Sequence, residues 1–450
     1  MVMKRILGII FFIPAFLIGG SDRENTNIMA GKIDVLDYSI QLKVDDMENS
    51  IDGSTEIGFR ALTDTGELFF NLKEMNVSAC ELDGKEVPFD YAGNIISISR
   101  SIPFKSGTLH KIKIIYSGKP KDGLIIGKNK YNDFGAFSDN WANRARYWFP
   151  SIDHPSDKAT VSFQITVPAK YRVIANGTFS GSVPAPGNER VYKYRMDIPC
   201  PTYCMVIGVS DFTIDSAKTK SNIPIYYYTY REDSLTASKG FVHVPDMVEY
   251  FEKTIGPYPF TKLALVESST IYGGMENSSA VFLPENGPSY TGKYNNEETV
   301  AHEIAHQWFG DDLTESNWSE IWLSEGFATY FSFLYFESRN GETYYRDLIK
   351  QTKDNYVKWS RKSLPVVNEN YSRLTDLLNI ESYSKGALFL DAIRSFVGDE
   401  LFFRGIKEYY KEFRHSNVTT GDFKSVMSKV SGRELDSLFR QWLYRPGLPD

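Results

Sequence analysis

Cysteine is scarce in this chain of 450 residues, which has only Cys80, Cys200 and Cys204. An odd and small number of cysteines does not make a disulfide framework. Cys200 and Cys204 are close enough in sequence to suggest a metal-binding pair, but no second pair and no nearby histidine completes such a site. Because they lie in an extended stretch, we expect them to be small residues of the core.

Positive charge is also in deficit, since 50 Lys and Arg against 57 Asp and Glu give a formal net charge of −7. No basic stripe is available to neutralise phosphates, which argues against a nucleic-acid partner. The composition, 42% hydrophobic and 24% charged, is ordinary for a soluble enzyme. A chain of this length has room for two or three domains and a large core.

The apolar run at the N-terminus, residues 6–18, is too short for an ordinary membrane span. Lys4 and Arg5 precede it and small residues follow it, which is typical of a secretory signal peptide. No cysteine follows, which argues against a lipoprotein anchor. We therefore expect residues 1–21 to be a signal peptide or a retained N-terminal anchor. The protein would be exported (periplasmic, extracellular or at the cell surface), with membrane contact only if the segment is retained.

Histidine is scarce too, but two of the six, His302 and His306, stand four residues apart with Glu303 beside the first. Helical residues at i and i+4 share a face, so both imidazoles can reach one metal ion. Zinc needs a third protein ligand if one position is to stay open. Eighteen residues separate His306 from Glu325, enough for a turn and the start of an antiparallel helix. The pattern predicts one zinc ion per chain on His302, His306 and Glu325, with Glu303 as general base; a solvated helix face is the alternative.

Apolar and polar residues alternate from residue 32 to about residue 212. The alternation is clearest in two sets of apolar residues: Tyr38, Ile40, Leu42 and Val44, and Val161, Phe163, Ile165 and Val167. With turn signals between such runs, this pattern predicts an antiparallel β domain, a sandwich.

Helical spacing of apolar residues replaces this alternation after residue 213. Strands are still expected at residues 225–230 and 263–267. Helices are expected at residues 297–309, 320–339, 386–396, 401–413 and 421–430. The fold class is therefore α+β, with an N-terminal β domain at 32–212 and a mostly helical domain at 213–450.

The residues around the histidines carry a family resemblance. The His302–His306 motif, its spacing to Glu325 and the sequence Trp-Leu-Ser-Glu-Gly-Phe-Ala at 322–328 resemble the aminopeptidase N and leukotriene hydrolase family of zinc metallopeptidases, the gluzincins. The likeness runs from about residue 33 to the end. It implies a thermolysin-like catalytic domain. It also leads us to expect a short form without the C-terminal domain of longer relatives, and a cleft open to solvent on that side.

Two further motifs gain a role from this resemblance. Tyr383 matches the tyrosine of the family's Tyr-x-Lys-Gly motif, which stabilises the oxyanion. The family's aminopeptidase motif Gly-x-Met-Glu-Asn is matched by Gly273, Gly274, Met275, Glu276 and Asn277. Two glycines let a substrate backbone approach an edge strand closely, and a carboxylate at its end can hold a free ammonium group.

One position departs from the family pattern. Relatives often carry a Gln or Glu in the β domain as a second amine anchor, just before an Arg-x-x-Phe-Pro segment. Trp141 stands there in this chain, where it could contribute a cation–π contact to the substrate amine. Asp139 is the alternative substitute.

The residues and the resemblance together predict a zinc aminopeptidase that hydrolyses N-terminal residues from peptides, with zinc-activated water as nucleophile and Glu303 as general base. Its partners would be peptides with a free N-terminus. A second hypothesis is a metallopeptidase of relaxed specificity with endopeptidase character, because the second amine anchor and the extra domain are missing. A third is a catalytically dead binding scaffold, which would be expected to lack a ligand or the base.

Overall fold

The computed structural model describes residues 28–285, 297–360 and 364–449. The predicted signal peptide or anchor lies outside these ranges. None of the described helices is long and apolar enough to cross a membrane. Buried apolar side chains from both halves of the chain belong to one continuous core, which includes all three cysteines in unbridged form.

The N-terminal half is built from strands. They are β1 (Ile33–Asp45), β2 (Ser50–Ala61), β3 (Thr65–Asn71), β4 (Asn76–Leu82), β5 (Lys85–Glu86), β6 (Asp90–Ala92), β7 (Ile95–Phe104), β8 (Leu109–Gly118), β9 (Leu124–Lys128), β10 (Phe134–Ser138), β11 (Lys158–Pro168), β12 (Arg172–Ala175), β13 (Thr178–Ala185), β14 (Glu189–Pro201) and β15 (Ile207–Ser210). The largest sheet has the order β13-β14-β11-β1-β2-β8-β4-β5; the others are β12-β15-β10-β9 and β3-β7-β6.

The alternating residues occupy the strands predicted for them. The apolar members of both sets are buried in β1 and β11, where Ile40 stands opposite Phe163. These two strands pair in parallel, however, whereas the sequence led us to expect antiparallel pairing throughout. Parallel neighbours require a long connection, and here the intervening strands β2–β10 form it.

The C-terminal half combines a small sheet with helices. Its strands are β16 (Phe212–Lys218), β17 (Pro224–Tyr230), β18 (Leu263–Ser268), β19 (Ala280–Pro284), β20 (Thr314–Glu315) and β21 (Asn417–Val418). Its helices are α1 (Ser234–Gly240), α2 (Val244–Thr254), α3 (Glu297–His306), α4 (Trp322–Asn340), α5 (Glu342–Trp359), α6 (Gly386–Val397), α7 (Asp399–Phe413), α8 (Thr420–Ser431) and α9 (Asp436–Leu443). The sheet has the order β16-β17-β18-β19, so the domain boundary predicted at 212/213 falls at its first strand.

The predicted helices are present, with shifted ends, and helix α5 is one that the sequence did not reveal. Helix α3, which carries His302 and His306 and is called the metal helix below, ends at His306, three residues earlier than predicted. Helix α5 escaped prediction because it buries only Tyr345, Leu348 and Tyr356 among its 18 residues.

Candidate metal centre

Helices α3 and α4 lie side by side and run in opposite directions. Glu297 at the start of α3 pairs with Arg339 at the end of α4, at 2.9 Å. At the other end, His306 Nδ1 lies 3.0 Å from Ser324 Oγ. This arrangement places Glu325, in the first turn of α4, directly against both histidines of α3, as the sequence spacing predicts.

The three predicted ligands converge tightly. The Oε2 atom of Glu325 lies 3.2 Å from Nε2 of His302 and 3.2 Å from Nε2 of His306, and the two Nε2 atoms are 3.0 Å apart. With metal–ligand bonds of about 2.0–2.1 Å, the ligand atoms of tetrahedral zinc are roughly 3.3 Å apart. Within the described ranges, no other three His, Cys, Asp or Glu side chains gather in this way.

The hydrogen bonds of His306 also suit a metal. Its Nδ1 lies 3.0 Å from the carbonyl oxygen of Phe309, which can only accept, so Nδ1 carries the proton. The lone pair is then on Nε2, which points to Glu325 and His302. Anchoring of the outer ring nitrogen is the usual second contact of a zinc-binding histidine. The donor set therefore fits zinc.

Burial and neighbouring charges set the protonation of the two glutamates. Burial opposes ionisation of Glu325, but the neighbouring His306 and hydrogen bonds with both histidines lower its pKa to about 2. Burial raises the pKa of Glu303 well above its usual range, and the carboxylates of Glu276 and Glu325 raise it further. Glu325 is thus suited to ligation as a carboxylate, whereas burial increases the affinity of Glu303 for a proton, as a group that receives a proton from water requires.

Gln307, the residue after His306, ties the Gly-x-Met-Glu-Asn segment to the metal helix. Its Nε2 donates to the backbone carbonyl of Glu276 at 2.5 Å, and its Oε1 accepts from the backbone N–H of Ser279 at 2.8 Å. Burial raises the pKa of Glu276, an effect that His306 opposes. A bound ammonium group would favour its ionised form.

The predicted edge strand at residues 273–277 is reduced to one antiparallel bridge, between Met275 and Phe282 of β19. Gly273, Gly274, Met275 and Glu276 line the cleft. Asn277 does not line it, and its side chain is fully buried. The structure therefore brings four of these five residues into the lining of the cleft that contains the three predicted ligands.

Gly274 is required by the close approach of the backbone to Glu303. A Cβ atom added there would lie 2.2 Å from Oε1 of Glu303. We predict that Gly274→Ala displaces this carboxylate and lowers kcat/KM by roughly 10–10²-fold, because small displacements of a catalytic group are costly. The melting temperature should change little, since the group displaced is the end of a side chain. Steady-state kinetics and thermal unfolding measure both, and unchanged kcat/KM would contradict the assigned packing.

Tyr383 reaches the site from a turn of π-helix, Glu381–Lys385, directly before α6. Such π turns often occur at functional sites. Helices α4 and α6 approach closely there, because a Cβ added to Gly326 would lie 3.0 Å from Cα of Gly386. The Tyr383 ring consequently stacks 5.9 Å from the ring of His302. Burial raises the pKa of Tyr383 well above 10, and Glu325 raises it further, so the hydroxyl stays protonated and can donate.

Trp141 lines the cleft, edge-on to Trp318 at 5.4 Å between ring centroids, as expected for a residue near the substrate. Asp139, the alternative amine anchor, already contacts other side chains of the protein. Its carboxylate pairs with Arg144 and accepts from Thr270 Oγ1 at 3.0 Å. Asp139 thus supports the wall of the cleft and is absent from its lining.

The ligands, Glu303, Tyr383 and Glu276 all open into one cavity of about 360 Å³. Helices α4 and α5 supply lining residues that the sequence analysis did not single out: Phe333, Leu348, Gln351, Thr352, Asn355 and Trp359. Glu298 of α3 is another. Its position four residues before His302 was the available signal, since it shares that residue's helix face.

A model of the Peptidase M1 N-terminal domain matches residues 35–204, and a model of the Peptidase family M1 domain matches residues 241–442. A mutant M1 zinc metallopeptidase from Deinococcus radiodurans has a similar crystal structure, with a TM-score of 0.82 and 25% identity over 93% of this chain and 96% of that one.

Curated relatives are longer than this chain. A leucyl aminopeptidase of Saccharolobus solfataricus is 27% identical over 395 residues, which cover 83% of this chain and 49% of that protein. A glutamyl aminopeptidase of Sus scrofa is 25% identical over 460 residues, or 93% and 48% of the two chains. The chain thus spans about half the length of these relatives.

Proposed function

The chain belongs to peptidase family M1, whose two domain models match most of its length, and on that basis we propose that it is a zinc aminopeptidase acting on peptides. One observation carries the proposal: Glu276, a carboxylate suited to a substrate ammonium group, opens into the same cavity as His302, His306 and Glu325. The five predicted catalytic and ligand residues are all present, which argues against a dead scaffold. We propose one zinc ion per chain.

Different residues of the site bind the substrate and transfer the proton. Zinc, when bound, supplies a Lewis acid that polarises a carbonyl group and makes water nucleophilic near neutral pH. Glu276 holds the substrate amine by a charge-assisted hydrogen bond. This contact positions the first peptide bond of the substrate next to Glu303. Glu303 takes a proton from the attacking water and returns it to the leaving amine nitrogen.

Tyr383 enters the site from the π turn that precedes α6. Its protonated hydroxyl donates a hydrogen bond to the carbonyl oxygen of the first residue as negative charge develops on that oxygen. Because the ring stacks on His302 and the π turn holds the backbone, the donor is positioned before the substrate arrives. Preorganised donors of this kind act mainly on the transition state.

The test is a comparison of free and N-acetylated peptides of the same sequence. The wild-type protein should cleave the free peptides much faster, because acetylation removes the charge that Glu276 binds. Glu276→Ala should lose most of this discrimination while it keeps the wild-type melting temperature. Rates are measured by mass spectrometry of the released residue. Equal cleavage of both peptide forms by the wild type would reject the aminopeptidase and support the relaxed metallopeptidase with endopeptidase character.

We also propose that the protein is exported. The support is the charged and apolar pattern of residues 1–21. Sequencing the N-terminus of the mature protein tests this and distinguishes cleavage from retention as an anchor.

A further inference from the structure

The cavity contains one carboxylate for which the proposed reaction has no use. Glu298 lines it from α3, one helical turn before His302. The hydroxyl of Tyr344 donates to its Oε1 at 3.1 Å. Among the described residues, no Lys or Arg forms an ion pair with Glu298. Burial raises the pKa of its carboxyl group, and a bound cation would favour the ionised form.

Apolar side chains of the neighbouring helices lie at the same height as Glu298 along the axis of α3. His302 Nδ1 lies 3.4 Å from Thr329 Oγ1 of α4. Because α3 and α4 are antiparallel, Phe333, four residues after Thr329, lies level with Glu298, four residues before His302. Leu348 shares a face of α5 with Tyr344, which bonds to Glu298. Both Phe333 and Leu348 line the cavity.

This combination matches the side chain of lysine or arginine. Such residues place an aliphatic stem along apolar surface and keep the charged end at a polar partner. Phe333 and Leu348 provide the apolar surface, and the Glu298 carboxylate can accept a charge-assisted hydrogen bond.

The direction of the substrate decides which of its residues would reach Glu298. Gln307 holds Glu276, and with it the substrate amine, at the C-terminal end of α3. Glu298 lies eight residues before His306, about 12 Å along the axis of α3. From the amine at Glu276 the peptide therefore runs past Glu303 toward Glu298. The residue after the scissile bond is the one whose side chain meets this carboxylate.

We propose that Glu298 makes the enzyme select lysine or arginine at the position immediately after the scissile bond. The inference rests on the proposed aminopeptidase function, because that function fixes the direction of the bound peptide.

The test uses competing peptides of the form Ala-Xaa-Ala-Ala-amide, with lysine, arginine or norleucine as Xaa. Norleucine matches the lysine stem without its charge. Consumption of both peptides in one mixture gives the ratio of their kcat/KM values. We expect the zinc-loaded wild type to prefer lysine over norleucine by roughly tenfold or more, as charged hydrogen bonds permit. Glu298→Gln should bring the ratio close to one, whereas Glu297→Gln, the same change at a residue outside the cavity, should not.

A second variant and a binding measurement test the same inference independently. Gln351→Lys places a positive charge in the cavity lining and should lower the lysine preference even if Glu298→Gln fails to fold. Titration of both peptides into the zinc-loaded Glu303→Gln protein gives the ratio of their dissociation constants without hydrolysis.

The outcomes separate the inference from the proposed function. Equal consumption and equal binding of the lysine and norleucine peptides by protein with intact Glu298 would overturn the inference. So would a lysine preference that survives both Glu298→Gln and Gln351→Lys. Tighter binding of the lysine peptide, lost with Glu298→Gln, supports the role of Glu298 even if no alanine is released. Failure to release alanine from any peptide would instead reject the proposed function.

Discussion

Replacing Glu303 by glutamine is expected to lower kcat by roughly 10²–10⁴-fold, the range of general acid–base catalysis, while zinc stays bound. Glutamine has nearly the same shape and can occupy the same place against Gly274. It cannot accept a proton from water, so the step that makes the nucleophile is lost. Steady-state kinetics on a fluorogenic aminoacyl substrate measures the effect, and elemental analysis of the same sample measures zinc.

The matched control is Glu297→Gln, which makes the same chemical change on the same helix but outside the cavity. It should retain near wild-type kcat and one zinc per chain. Near-normal turnover of Glu303→Gln would remove Glu303 from the mechanism. Loss of zinc from that variant would instead show that Glu303 supports the metal site.

Replacing Tyr383 by phenylalanine should lower kcat by roughly 10²–10³-fold with little change in KM, as for the loss of other oxyanion donors. The ring that stacks on His302 is kept, so only the hydrogen bond to the developing negative charge is removed. Burial and Glu325 keep the hydroxyl protonated, which makes it a donor across the working pH range.

The comparison variant for this change is Tyr345→Phe, since that hydroxyl bonds to Tyr330 at 3.0 Å and its ring is absent from the cleft lining. It should leave kcat near the wild-type value. An effect of Tyr383→Phe on KM alone would make Tyr383 a residue that positions the substrate.

Local geometry made the convergence of His302, His306 and Glu325 predictable from sequence. His302 and His306 lie one helical turn apart, and the distance to Glu325 leaves room for a turn and a returning helix. The contacts between helices could not be predicted from residue spacing within one helix. Neither the bond from Gln307 to Glu276 nor the position of Glu298 beside Phe333 follows from spacing within one element. They depend on how α3, α4 and the segment before β19 pack together.

Tertiary packing also decides other features that a local sequence pattern does not determine. Helix α5 was not predicted because its buried side chains, Tyr345, Leu348 and Tyr356, are few, and its position along the cleft depends on tertiary packing. The alternation in β1 and β11 correctly identified two buried strands but could not tell which strands are neighbours. Asn277 was assigned to the substrate by its place in a motif; its side chain is fully buried and is not among the residues that line the cavity.

The parallel pairing of β1 with β11 has a consequence for synthesis on the ribosome. Until residues 158–168 have emerged, β1 can pair only with β2, and its other edge presents unsatisfied backbone groups. At translation rates of about 5–20 residues per second, the stretch from the end of β1 to the end of β11 takes roughly 6–25 s to make. For that interval the nascent chain carries an open sheet edge next to a face of large apolar side chains. The growing polypeptide is therefore exposed to aggregation at this edge before any residue of helix α3 has been translated.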